Sequence, residues 1–304
     1  MSKKTKKSVV ISVRLDETTL AAVDLLVHAG VAQSRSEAAS QFIAIGVQNS
    51  EALLLKAKAL EENVRKLKNE MLDAVKSKNL EKVKQLLAMD ATLKNAASED
   101  GQTAVLTAAY YRANEIKELL LRSGAELNVF EAAAIGNKAR VQEIAEESPW
   151  LINSHSFDGY TPLGLAAHFG HEETAAYLLD AGADIDLRSR DGKLNNMPLH
   201  ASIAGNHPLL TKLLLERGAD PDSRCEGEVR RGFTPLHVAA HFNRLEAAKL
   251  LLEHGADPFL RNSDALTAAE YAHAKGNTEF TEVMASCVRS GHSAETQEPG
   301  AEAP

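Results

Sequence analysis

Eleven histidines, two cysteines and a cluster of cations near the N-terminus are the side chains of this 304-residue chain from which chemistry would be built. The histidines invite a metal reading, but no His-Glu-x-x-His pair, Gly-rich phosphate loop or nucleophile elbow occurs. Cys225 and Cys287 are far apart and lack metal-ligand spacing, which points to reduced thiols in a cytoplasmic protein. The chain therefore reads as a non-enzyme with no catalytic residue, metal or cofactor. Binding chemistry is better represented. Lys3, Lys4, Lys6, Lys7 and Arg14 fall in a stretch, residues 1–15, that holds no acid. Residues 1–50 carry six Lys/Arg against four Asp/Glu, or +2, so with a total of −8 the remainder sums to −10. A basic arm on an acidic body implies an anionic partner for the arm. Elsewhere, Tyr110-Tyr111, His168-Phe169 and His241-Phe242 recur as pairs, joined by Tyr160, Arg230, Arg231 and Phe233. Aromatic and Arg side chains dominate binding hot spots.

The elements that position these pairs are legible around residues 158–190. Asp158-Gly159 reads as a turn, and Thr161-Pro162 opens a short helix, since Pro is tolerated where an N–H would be unpaired anyway. Gly170-His171 breaks the pattern, a second helix follows, and Gly182 ends it because Gly reaches the left-handed conformation without strain. One such pair cannot bury its apolar face alone. Pro162, Pro198 and Pro235 are 36 and 37 residues apart, as are Gly182, Gly218 and Gly255, and Ala268 follows Pro235 by 33.

The segments TPLGLAA (161–167), MPLHASI (197–203) and TPLHVAA (234–240), with their Gly-Ala-Asp turns, resemble the ankyrin repeat, whose period is 33 residues. The resemblance covers residues 71–290, about six units plus a cap. It implies a solenoid of helix pairs with Leu163, Leu199 and Leu236 buried between repeats. It also implies a concave face that binds another protein through Tyr110, His168, Phe169, Arg230, Arg231, Phe233, His241 and Phe242. Tyr110 and His241 are expected to be exposed, and Ala204-Gly205 to leave a depression between the aromatic pairs. In this family His200 and His237 bond local backbone. KLNN (193–196) and CEGEVR (225–230) read as loop insertions. The unit after Asn128 starts at once, so its finger is nearly deleted and the row of fingers has a gap.

Residues 8–16 alternate with period 2, Val9, Ile11, Val13 and Leu15 on one side and Val10, Ser12 and Arg14 on the other. A helix stopping at Gly30 and a second opening on Ser34-Arg35-Ser36-Glu37, a capping box, complete about 42 residues, too few for a core of their own. VVISVRLDE, the spacing to Gly30 and SRSEA (34–38) resemble the ribbon-helix-helix domain over residues 8–49. The resemblance implies a homodimer that binds double-stranded DNA. Val10, Ser12 and Arg14 would face bases, Ser34, Arg35 and Ser36 the backbone, and Lys3, Lys4, Lys6 and Lys7 (the arm, residues 1–7) phosphates; such a protein is nucleoid-associated. A dimeric scaffold that never meets DNA is the second reading, and an antitoxin-like inhibitor the third. From Glu51 to Met71, across the linker of residues 50–70, Leu53, Leu60 and Leu67 alternate with Ala57, Val64 and Met71, which fits either a two-stranded coiled coil or a helix capping the array. The fold class expected is mostly α, a solenoid preceded by a small dimeric domain and a helical linker. Residues 291–304 lack periodicity and read as a disordered tail. No stretch is long and apolar enough to span a membrane.

Overall fold

The computed structural model describes residues 14–49 and 51–294. The chain divides into two compact units, residues 1–66 and 67–304. The expected ribbon falls on residues 8–16, of which 8–13 lie outside the described residues, as do Lys3, Lys4, Lys6 and Lys7. Residues 14–16 precede the first helix without regular structure. Among the described residues no strand forms; Ala97–Thr103 and Arg261–Thr267 are isolated bridges.

In the first unit, α1 (Glu17–His28) starts where the Asp16 carboxylate accepts from the Thr19 amide at 2.7 Å, a cap worth about 1 kcal/mol. At α2 (Arg35–Asn49), Ser34 Oγ accepts from the Glu37 amide at 3.2 Å. The Glu37 carboxylate reaches back to the amide of Gln33 at 2.7 Å, one residue earlier than the expected box requires. Val23, Ala32 and Ala38 are the buried apolar side chains where α1 meets α2. The division between the units falls within α3 (Glu51–Lys76). Leu55, Leu60 and Val64 are exposed, whereas Leu67 is half-buried against a cluster containing Met71, Leu72 and Val75. The end of the heptad stripe thus caps the array.

The second unit continues as α4 (Leu80–Met89), α5 (Ala104–Tyr110), α6 (Asn114–Arg122), α7 (Val129–Ala134), α8 (Lys138–Glu147), α9 (Pro162–Phe169) and α10 (Glu172–Asp180). It ends with α11 (Pro198–Gly205), α12 (Pro208–Glu216), α13 (Pro235–Phe242), α14 (Leu245–Glu253), α15 (Ala268–Ala274) and α16 (Thr278–Ala294). Odd-numbered helices from α5 onward pack on one another as an inner layer, and even-numbered ones from α4 as an outer layer. Because α16 runs to Ala294, the expected disordered tail is helical over residues 291–294; residues 295–304 lie outside the described residues. Thr161 Oγ1 accepts from the Gly164 amide at 3.0 Å and Pro162 sits at the first helical position. Leu163, Leu199 and Leu236 are fully buried in the cluster that joins the repeats.

At three of the inner-to-outer turns a side chain ties the repeat to the one before. His171 Nε2 donates to the Ala134 carbonyl at 2.9 Å, His207 Nε2 to that of His168 at 3.0 Å, and Asn277 Nδ2 to that of Ala240 at 2.8 Å. Gly205 is small for a reason other than a surface depression. A Cβ there would lie 2.2 Å from the His168 carbonyl oxygen, so α9 and α11 approach this closely only with glycine. The two insertions zip together, Gly227 N donating to Leu194 O at 3.0 Å and Val229 N to Lys193 O at 2.8 Å.

Candidate functional site

Of the DNA-facing residues expected from sequence, Val10 and Ser12 lie outside the described residues. Arg14, Ser34, Arg35 and Ser36 are exposed. Arg35 is not free, however. Its guanidinium donates twice to Asp24, at 2.5 and 2.8 Å, which holds the Asp24 carboxyl below its ordinary range and raises Arg35. α2 therefore begins with a cation already engaged by an acid of α1.

The inner layer carries two aromatic groups. In the first, Tyr110, Phe130, Tyr160 and Phe169 surround buried Leu106, Ala134 and Leu165. Tyr110 lies 5.2 Å from Phe169 between ring centroids, and His168 meets Phe169 edge-on at 4.9 Å. The Tyr160 hydroxyl donates to Asp191 Oδ2 at 3.3 Å. Burial first, then the nearby carboxylates of Asp158 and Asp191, push both phenols above their ordinary range. Tyr110 is thus a half-buried packing ring and not the exposed contact expected; Tyr111 is the exposed member of its pair.

In the second group Phe233 is only 4% exposed and packs against Tyr271, at 5.0 Å, and His237, at 5.4 Å. It supports the face from beneath, which removes it from the accessible contacts. Above it, Arg230 is held at a left-handed φ of 60°. Its guanidinium lies 5.0 Å from the Phe242 centroid and donates to His241 Nε2 at 2.9 Å. Because Nε2 accepts, the proton of the neutral ring is on Nδ1, which donates to the Tyr271 hydroxyl at 2.7 Å. His241 is therefore half-buried in a relay and not the freely exposed side chain expected. Burial, then Arg230 and Lys275, keep it below the usual imidazole range. Arg244 and Lys275 place further cations 5.8 Å from the Phe242 and Tyr271 centroids. Arg231 is exposed at the rim. Arg244, Tyr271 and Lys275 belong to this group but carry no sequence signal beyond their place at inner-helix ends.

His237 Nδ1 accepts from the Thr234 hydroxyl at 2.9 Å while Nε2 donates to the Leu266 carbonyl at 2.9 Å. His200 departs from the expected local bond. It donates to the Phe233 carbonyl at 3.4 Å, and its Nδ1 is buried without a partner because Met197 stands where Thr234 would offer a hydroxyl. Burial pushes its pKa down to about 4. Burial also raises the Cys225 thiol to about 12, leaving it inert at neutral pH. Among the described residues no group of three His, Cys, Asp or Glu is placed to hold a metal ion.

Where the finger before α7 is deleted, a cleft of about 620 Å³ opens, lined by Lys94, Asn95, Thr103, Glu126, Glu131 and Arg140 among others. Its buried carboxylate, Glu131, is occupied in a capping box, accepting from the Asn128 amide at 2.8 Å, and burial raises its pKa.

No helix among the described residues is long and apolar enough to cross a membrane. An ankyrin repeat protein of Rickettsia felis is 34% identical over 141 residues, 46% of this chain and 57% of its own length. Human Rabankyrin-5 is 36% identical over 77 residues, 25% of this chain and 6% of its own length. The mouse ankyrin repeat and SAM domain-containing protein 6 is 35% identical over 107 residues, 35% of this chain and 11% of its own length. The chain thus spans less than two thirds of each of these relatives. The family model for ankyrin repeats (3 copies) matches residues 71–189, 129–225, 182–262 and 199–295, and the chain belongs to the ankyrin-repeat family.

Proposed function

We propose that this chain is a protein-binding scaffold, not an enzyme, whose inner-helix face holds a partner protein. The observation that carries this reading is the group of Arg230, His241, Phe242 and Tyr271, ordered by hydrogen bonds and ring contacts yet only partly covered. Side chains fixed before binding lose little entropy on contact, and aromatic and Arg residues are the types that form hot spots. His168, Phe169 and Tyr111 extend the face, with Arg231 at the rim. Replacing Phe242 by Ala should weaken partner binding by more than about 1 kcal/mol while circular dichroism stays unchanged. Equal loss of fold and binding would reduce Phe242 to a packing residue.

A second reading concerns residues 1–49, and one observation favours it. Among the described residues, the α1–α2 pair buries three apolar side chains but leaves Leu25, Val31, Phe42, Ile43 and Ile45 exposed, more than a solitary unit of this size keeps. A second copy covering them makes the chain a homodimer, and two basic arms then offer Arg14 and Ser12 to base edges and the arm lysines to phosphates of double-stranded DNA. Sedimentation of the full chain at micromolar concentration and salt-dependent titration with duplex DNA test the two steps separately. A monomer removes the first, and binding indifferent to salt removes the second.

A further inference from the structure

The cations of the array are not treated alike. On the loop side of neighbouring repeats, Arg188, Arg217 and Arg261 are paired with Glu226, Asp180 and Glu270. Around Phe242 the cations Arg230, Arg244 and Lys275 have no ion pair among the described residues; two lie over the Phe242 ring and the third over Tyr271. Arg244 also occupies the turn slot from which His171, His207 and Asn277 donate to the preceding repeat. Arg244 makes no such bond, and its Nε is buried without an acceptor. At this step of the ladder the side chain is withheld from repeat-to-repeat bonding and laid beside an aromatic ring. An unpaired donor, three unpaired cations and apolar ring surface in one place are complementary to carboxylates flanked by an apolar side chain.

Resting on the inner-face reading above, we propose that the site around Phe242 takes an acidic segment of a partner protein. Asp or Glu carboxylates would lie between Arg230, Arg244 and Lys275, and a neighbouring aromatic or aliphatic side chain would lie against Phe242. Nucleic acid fits this surface less well. The chain beyond residue 50 carries a net −10, and in the loops after α10, α12 and α14 Asp186, Asp220 and Asp222 form a row of carboxylates that accept from the amides of Asp220, Asp222 and Asp257. A long polyanion would meet these carboxylates, whereas a short acidic segment need not.

The test uses the full chain and two variants, R244Q/K275Q and the charge-preserving R244K/K275R, each matched to the native chain by circular dichroism and melting. Arg230 is left in place because its loss would also break the bond to His241. All three are put through the same random-peptide display selection. The native chain should enrich Asp/Glu-bearing sequences with an adjacent apolar residue. A fluorescein-labelled peptide so selected should bind R244Q/K275Q about tenfold more weakly, in line with loss of charged hydrogen bonds, and bind R244K/K275R nearly as well as the native chain. Peptides lacking acids that bind all three chains equally, but not F242A, would overturn this inference and leave the inner-face reading standing. Enrichment of no sequence at all would remove both. Displacement of the acidic peptide by duplex DNA at this site, persisting when residues 2–14 are deleted, would assign the cations to nucleic acid and overturn the proposal.

Discussion

The helix pair α1–α2 and the helix pairs of the array face one problem and meet it differently. Neither is large enough to bury an apolar face alone. In the array each pair lies against the next, and the buried cluster runs without interruption from Ala132 to Met284. In the N-terminal pair, Phe42 and Ile45 remain 41% and 53% exposed on the same helix that buries Ala38. Adjacency along the chain supplies the missing half of the core in one region, as in any stack stabilised by nearest-neighbour terms. The other region has no next repeat. On the assembly reading proposed above, a second copy supplies its missing half.

Truncation separates the two regions most sharply. Leu199→Ala should cost about 2–5 kcal/mol, since Leu199 is fully buried where α11 meets its neighbours, and the loss should spread to adjacent repeats. Phe42→Ala should leave the melting of the array unmoved and change self-association instead. Calorimetry of both variants checks the contrast, which fails if Leu199→Ala melts like the native chain.

A second contrast is acid sensitivity. His200 is wholly buried and its pKa falls from 6.5 to about 4. The folded state therefore holds the ring neutral while the unfolded chain takes up a proton, so stability is lost as pH falls from about 6.5 to about 4 and levels off below that. At about 1.4 kcal/mol per pH unit the loss is of order 3 kcal/mol. His168, His171 and His237 are displaced in the same direction, each chiefly by burial. Urea titrations at several pH values should show this slope, and His200→Gln should flatten it.

The smallest effect is a gain. Met197→Thr would place a hydroxyl where Thr234 has one, supplying His200 Nδ1 with a donor and α11 with a cap. It should raise stability by about 1 kcal/mol. A neutral or destabilising result would mean that the unpartnered nitrogen is not relieved by this geometry.

These residues also mark where reading the sequence succeeds and where it stops. Thr161-Pro162 and Thr234-Pro235 announce helix starts because capping is local, and Leu163, Leu199 and Leu236 follow at fixed offsets from them. The gap before α7 was legible for the same reason, since Asn128 caps a helix with no room left for a finger. The inner face was legible only as composition. Arg230, His241 and Tyr271 bond across 11 and 30 residues of sequence, and no spacing rule relates a finger arginine to a ring on the next repeat. Phe233 reads as a finger-tip aromatic, yet the inward turn of its loop, with Cys225 N bonded to Phe233 O at 2.9 Å, buries it. Gly205 reads as small surface when its cause is the approach of a carbonyl from α9.

The inner face as the protein-binding surface is tested most directly by affinity capture with matched variants. The native chain, H168A/F242A on the inner face and K249A on the exposed side of α14 are immobilised at equal density, after circular dichroism shows equal folding. K249A should capture the same proteins in the same amounts as the native chain, whereas H168A/F242A should lose them. Identical capture by all three would rule out the inner face as the binding surface.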